Sequence, residues 1–299
     1  MELQASDQKN IPSVSVKRWQ DVAEDARRLK LPLKIQNAFP DLALSWSPTS
    51  LRDRWPSEQV HITTDLPQHG VPYAECSSKH ERTVSLHNFV QMLDDGTSCY
   101  LNQVPLTNFP ALDEEVDLSS LHLGRQFSVN LWLGGMTKSG LHFDNADNLF
   151  GQIYGRKRVS LVAPQFSRYL YPFADNPSKS AVNPDAPDFD AHPLFTHCEV
   201  WSTLLDPGDG LFIPCGWWHH IVAENVSISL NCWHGDKLTD FERTKLFLAG
   251  GPRIILRVFR DFVWHGLLDF PYQQRLFSPP PLGFELYKHV RTSFERRPK

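Results

Sequence analysis

The middle of the chain is a succession of short β-type runs broken by turns. Residues 127–133, 140–144, 149–154, 158–162, 198–205, 210–214 and 226–233 each carry apolar, β-branched or aromatic residues over strand length. Gly134-Gly135, Tyr154-Gly155 and the stretch from Asp206 to Gly210 punctuate them. Many short strands at this spacing predict a mainly β sandwich or barrel. Ahead of it, residues 16–29 have helical spacing with mixed charge, 31–35 read as a strand, and 85–93 as a short helix with Ser85 as N-cap. After Gly235 the period turns helical again, over 238–248 and 254–268, with Gly250-Gly251-Pro252 between. Pro279, Pro280 and Pro281 break the chain before a last short helix. The predicted organisation is a loose polar tail over 1–14, N-terminal α/β elements packing on the barrel over 15–126, a β core over 127–235, and a helical region over 236–299. Residues 173–193, rich in Pro, Asp, Asn and Ser, read as a long irregular insertion near the site.

Composition narrows the class. With 299 residues and 41% hydrophobic content the chain can bury a sizeable core. A net charge of -4 and a pI near 6.3 give no basic footprint of the kind that grips phosphate backbones, which lowers the expectation of nucleic-acid binding. The five cysteines are odd in number and form no C-x-x-C pair, which argues against a disulfide framework or a zinc–cysteine site and for a reducing interior. The polar start lacks an apolar leader core, and no apolar run reaches bilayer length, so a cytoplasmic protein without membrane contact is expected.

Four features carry chemistry. In His142-Phe143-Asp144, residues two apart on a strand project to one face, so an imidazole and a carboxylate stand side by side. By itself H-x-D is a common surface pair. Pro214-Cys215-Gly216-Trp217-Trp218-His219-His220 supplies a second imidazole from a distant strand. Two His and one carboxylate make the facial triad that suits non-heme Fe(II) and leaves positions open. Spacing alone admits either His219 or His220, and an aromatic core patch with polar ends is the competing reading. In 157–163, Lys157, Val159, Leu161 and Ala163 share a face, so if that face is interior the Lys157 ammonium needs an anion, which a dicarboxylate would supply. A lysine snorkelling from a strand end is the alternative. Finally, Val226, Ile228, Leu230 and Cys232 form one face of the last strand, and Ser227, Ser229, Asn231 and Trp233 the other. The polar face fits a lined cavity or an ordinary solvent-facing sheet surface.

Together, YLNQ (100–103), SGLHFDNADNLFGQIYGRKR (139–158), GDGLFIPCGWWHHI (208–221) and SISLNCW (227–233) resemble the JmjC hydroxylase (cupin-8) family, in particular its asparaginyl hydroxylases acting on hypoxia-inducible factor. The likeness spans residues 31–233. It implies a double-stranded β-helix (jelly-roll) fold and an Fe(II)- and 2-oxoglutarate-dependent dioxygenase that consumes O2 and hydroxylates an unactivated C–H, with a protein or peptide side chain as the lead substrate. By resemblance the metal ligands are His142, Asp144 and His219, which favours His219 over His220. Lys157, Tyr100 and Ser139 are implied to hold the far carboxylate of 2-oxoglutarate, with Asn148, Asn231 and Trp233 lining the pocket. Asn145-Ala146-Asp147 departs from the family's pattern at positions expected near the substrate, which leaves a free amino acid, a natural-product intermediate or a modified tRNA base open as substrates. N-methyl demethylation and a non-catalytic metal-binding cupin are the competing functions. The intact Asp144 argues against halogenation, which in related enzymes uses a small residue there. The apolar stretch 254–264 is implied to form a homodimer through the C-terminal helices.

Overall fold

The computed structural model describes residues 9–65, 80–121, 123, 125–239, 242, 245, 247, 251–274 and 278–295. Two short strands, β1 (Lys9–Asn10) and β2 (Ser13–Ser15), precede helix α1 (Val16–Leu29). Ser15 caps α1 by accepting from the Arg18 amide, and Lys30 closes it in the left-handed region. Trp19, Ala23 and Ala26 recur at helical spacing on its buried face. Strand β3 (Leu33–Gln36) and helices α2 (Pro40–Ser45) and α3 (Pro48–Arg54) follow. Next come β4 (Gln59–Thr64), β5 (Glu81–Ser85), α4 (Leu86–Asp94), β6 (Cys99–Pro105) and α5 (Pro110–Glu115). The Ser85 side chain accepts from the Asn88 amide, as its place before an apolar helix predicts.

The core strands are β7 (Gln126–Gly134), β8 (His142–Phe143), β9 (Ala146–Tyr154), β10 (Lys157–Val162), β11 (Val200–Leu205), β12 (Gly210–Ile213), β13 (Trp218–Ala223) and β14 (Ser227–Lys237). Among the described residues they form two facing sheets. The smaller runs β1-β11-β10-β13-β8 and the larger β2-β3-β12-β9-β14-β7-β6-β4-β5. This is a sandwich, as the run of short strands predicts, and the jelly-roll that the family resemblance implies. The outer face of the larger sheet is covered by α1, α2 and α4, whose Trp19, Leu42 and Phe89 join Ile62, Leu133 and Leu230 in one apolar cluster. With the other face turned to the smaller sheet, both sides of β14 are buried, so its serine–asparagine side is interior rather than a solvent face.

Two expectations change. The tail over 1–14 is partly structured: β1 pairs in parallel with β11, and β2 with β3, so each adds a short strand to one edge of a sheet. Strands β4, β5 and β6 extend the larger sheet through a stretch where the sequence marks only the 85–93 helix, because their exposed positions are charged or polar and mask the period. Most of the predicted helix 238–248 lies outside the described residues. The 254–268 helix is found as α6 (Pro252–Asp261) running into a π-helical turn (Phe262–Leu267), and the last helix is α7 (Leu282–Glu295). No helix of the described residues is long and apolar enough to cross a membrane. Cys99, Cys198, Cys215 and Cys232 are free thiols, and Cys76 lies outside the described residues.

Candidate metal centre and cosubstrate cavity

Strand register brings the first imidazole to the second. β8 pairs antiparallel with β13 so that His142 lies directly opposite His219 and Phe143 opposite Trp218. Opposed residues of an antiparallel pair project to the same face. The two rings stand 4.1 Å apart, and Asp144, two residues beyond His142, brings its Oδ2 within 3.7 Å of His219 Nε2. One donor atom from each of His142, Asp144 and His219 lies within 4.8 Å of the others. The neighbouring His220 points to the opposite face, where its Nε2 meets Asp185 at 3.2 Å. Burial pushes the Asp185 carboxyl up, but His220 and Arg158 outweigh it and hold the group well below its usual range. His220 therefore anchors the 173–193 insertion, while His219 faces the cavity.

Both cavity imidazoles are oriented from behind. His142 Nδ1 donates to the Gly140 carbonyl at 2.8 Å and His219 Nδ1 to the Trp217 carbonyl at 3.1 Å. A carbonyl only accepts, so each Nδ1 carries the proton and each Nε2 keeps its lone pair. Burial holds His142 well below the ordinary imidazole value and also lowers His219, which keeps both rings neutral at pH 7. Trp233 Nε1 donates to Asp144 Oδ2 at 3.2 Å and fixes the carboxylate.

A cavity of about 520 Å³ opens beside the triad. Lys157, at the start of β10, projects into it and is only 3% exposed. Gly155, with φ at +71°, makes the tight turn from β9 that aims it there. Among the described residues no carboxylate lies within ion-pair distance of Lys157. Burial pulls its ammonium down to about 7. Tyr100 on β6 reaches the same cavity across Gly134, where a side chain on β7 would collide with the phenol ring. Burial pushes the Tyr100 phenol well up, so it remains a hydrogen-bond donor. Ser139 Oγ accepts from the Ile221 amide at 2.9 Å, leaving its own O–H to donate. Asn148 on β9 and Asn231 on β14 line the cavity, and the side-chain oxygen of each is buried without a partner.

All nine residues singled out from the sequence thus border one space. A correction concerns Asn145, Ala146 and Asp147, which do not line it. Asn148 takes the cavity side of β9, so Asp147 takes the other. There it accepts from the Cys215 amide at 2.8 Å and sits 3.6 Å from Lys30 Nζ. The sequence also passed over Thr137, Lys138, Lys179, Asn102, Gln103 and Gln274, which do line the cavity. The irregularity in the β6–β7 pairing between Leu101 and Val104, with Gln103 at φ +52°, aims the last two residues of YLNQ inward; positive φ at a non-glycine is not readable from residue type.

The cupin-like domain family matches residues 19–240. The chain belongs to the cupin-like (JmjC) domain family. Among its relatives is tRNA wybutosine-synthesizing protein 5 of Gallus gallus, 34% identical over 127 residues, covering 41% of this chain and 39% of the relative. Jumonji C domain-containing protein 5 of Drosophila melanogaster is 33% identical over 144 residues, 45% of this chain and 36% of the relative. Lysine-specific demethylase 8 of Xenopus tropicalis is 35% identical over 111 residues, 36% of this chain and 25% of the relative. The chain thus spans between a quarter and two fifths of the length of these cupin-like relatives.

Proposed function

We propose that this cupin-like protein is an Fe(II)- and 2-oxoglutarate-dependent dioxygenase that hydroxylates an unactivated C–H bond. The observation that carries the reading is the pairing of two neutral imidazoles, His142 and His219, and the Asp144 carboxylate with a buried Lys157 in one cavity. Two imidazoles and one carboxylate suit Fe(II) and leave coordination positions for further ligands. Lys157 lacks an anion among the described residues, and a dicarboxylate provides it. In this assignment His142, Asp144 and His219 hold the metal. Lys157, Tyr100 and Ser139 bind the far carboxylate with charge-assisted hydrogen bonds, and Asn148 and Asn231 accept from water through their orphaned oxygens and offer their NH2 groups to the bound ligands. Iron with its cosubstrate supplies oxidative decarboxylation of 2-oxoglutarate to succinate and CO2, coupled to insertion of one atom of O2 into C–H. The chain's own share is to orient the ligands through Gly140, Trp217 and Trp233, keep the imidazoles neutral with Nε2 unprotonated, and exclude water.

Incubation with Fe(II), 2-oxoglutarate and ascorbate is expected to yield succinate above a metal-free control. A metal-binding protein with no succinate under any candidate substrate would favour the non-catalytic cupin. Formaldehyde measured alongside separates N-methyl demethylation from stable hydroxylation; no formaldehyde is expected.

The Lys157 position makes cosubstrate affinity depend on pH. The free ammonium titrates near 7 because of burial, and a bound carboxylate raises that value. Below about pH 7 the lysine is already charged and affinity is flat. Above it, binding must take up a proton, so affinity falls by about tenfold per pH unit. Calorimetry at pH 8 in buffers of differing ionisation enthalpy checks this, with close to one proton taken up per 2-oxoglutarate expected.

The C-terminal helices carry the proposed homodimer. Leu256 is 71% and Phe259 70% exposed on α6, with Ile255, Trp264 and Leu267 also open to solvent. Light scattering at micromolar concentration is expected to give a dimer, and Leu256→Glu with Phe259→Glu a monomer. A wild-type monomer contradicts the proposal.

A further inference from the structure

Of the three proposed metal ligands, Asp144 is the one that no strand holds. It lies between β8, which ends at Phe143, and β9, which begins at Ala146. Its backbone carbonyl instead accepts from the Gly216 amide at 2.9 Å. Gly216 belongs to the turn over 214–217, between β12 and β13. The same turn orients a second ligand, because the Trp217 carbonyl accepts from His219 Nδ1 at 3.1 Å. One short turn therefore sets the backbone of Asp144 and the ring of His219 together. Such partners behind a ligand fix its direction and its affinity for the ion.

What holds the turn lies on the side of β9 away from the cavity. Asp147 is buried there, and its Oδ1 accepts from the Cys215 amide at 2.8 Å. Lys30, the residue that closes α1, brings its Nζ within 3.6 Å of the same oxygen and 3.1 Å of Cys215 Sγ. The Lys30 carbonyl accepts from the Trp217 indole at 3.0 Å. The turn is thus gripped twice, by Asp147 at Cys215 and by Lys30 at Trp217. The register partner of Asp147 on β14 is His234. Burial pulls that imidazole down to about 4, so it is neutral at pH 7, and the charge facing Asp147 comes from Lys30 instead. A second pair of the same kind provides a comparison. Asp209 meets Lys34 Nζ at 2.7 Å and accepts from the Asp206 amide at 3.0 Å, which ties β3 to the turn before β12. Neither Lys34 nor Asp209 bonds to the 214–217 turn or borders the cavity.

We infer that Asp147, paired with Lys30, is a positioning residue of the metal centre: it clamps the 214–217 turn and, through it, the Asp144 backbone and the His219 ring. The inference rests on the triad binding a metal, as in the proposed function, and not on the reaction that follows. It gives a place in the site to a residue that lies outside the cavity.

The test titrates the full chain, stripped of metal, with Mn(II) and with Co(II) alone. Paramagnetic resonance of Mn(II) gives the affinity, and the visible absorption of Co(II) reports the coordination geometry. Asp147→Ala is expected to weaken binding of both ions by about 10–100-fold, the usual cost of losing a partner behind a metal ligand, and to alter the Co(II) bands. Asp147→Asn keeps an oxygen for the Cys215 amide and should recover wild-type affinity. Trp217→Phe removes the indole donor but keeps an aromatic ring, and should weaken binding in the same direction. Asp209→Ala is the matched control. It should lower the melting temperature yet leave the affinity and the Co(II) spectrum unchanged. Wild-type affinity in Asp147→Ala, no recovery in Asp147→Asn, or an equal loss in Asp209→Ala overturns the inference. Should Asp147→Ala fail to fold, Trp217→Phe is judged against Asp209→Ala on the same criteria. No metal uptake by the wild-type protein sinks the triad itself, whereas firm uptake that Asp147→Ala leaves unchanged sinks only the clamp.

Discussion

His219→Ala is expected to abolish Fe(II) retention and with it 2-oxoglutarate-dependent succinate formation, while His220→Ala keeps both. Changing even an outer partner of a metal ligand typically costs about 10–100-fold in affinity or activity, so removing a ligand should cost more than that. The two histidines are adjacent, equally buried and chemically identical, which makes the pair a sharp control. Only the pleat separates them: His219 faces His142 and Asp144, and His220 faces Asp185. Loss of His220 leaves Asp185 half-buried with Arg158 as its remaining partner, a cost of about 1–3 kcal/mol in stability. Metal analysis after gel filtration, with a thermal melt beside it, checks both. Iron retained by His219→Ala, or lost by His220→Ala, would reassign the site.

The second large effect is expected at Lys157. Lys157→Met preserves length and apolar packing but removes the charge. The distal carboxylate would then be buried without its cation, a penalty of about 2–5 kcal/mol, which is a weakening of 2-oxoglutarate binding of ~30-fold to several-thousand-fold. Metal binding should survive, because Lys157 touches none of the three ligands. The same change should alter stability in the opposite sense. Lys157 titrates at about 7 when folded, against 10.5 as its ordinary value. Between those values the unfolded chain binds the extra proton, so stability of the ligand-free protein rises with pH across that window. Lys157→Met removes this contribution and should melt higher near pH 7, with a flatter pH profile. Calorimetric titration and melts from about pH 7 to 10 test the pair of effects; unchanged 2-oxoglutarate affinity would remove Lys157 from the cosubstrate site.

The parts of this site that were legible in the sequence are those set by strand period. His142 and Asp144 are two apart, Lys157 shares a face with Val159 and Leu161, and Asn231 with Trp233. Alternation alone places each set on one side, and the structure puts that side inward. Period also correctly put the apolar positions Ile228 and Leu230 against the core. It could not choose between His219 and His220, because that choice depends on the register with β8, a contact between residues far apart in the chain. Lys179 was hidden for the same reason. It sits in an irregular, proline-rich insertion with no period, and its placement comes from two backbone bonds to β8 and the residue before it. Gln103 was hidden by an irregular stretch of pairing, and Gln274 by its origin in the C-terminal segment. Asn145-Ala146-Asp147, which the resemblance put near the substrate, does not line the cavity, because Asp147 takes the other side of β9 and turns back toward Cys215 and Lys30.

The most direct test of the central assignment is a crystal grown with Mn(II) and 2-oxoglutarate, examined at an X-ray energy where manganese scatters anomalously. One anomalous peak is expected per chain, about 2.0–2.3 Å from His142 Nε2, His219 Nε2 and an Asp144 oxygen, with a dicarboxylate reaching from it to Lys157 Nζ. A peak at His220 and Asp185, or none at all with the triad ordered, would contradict the account.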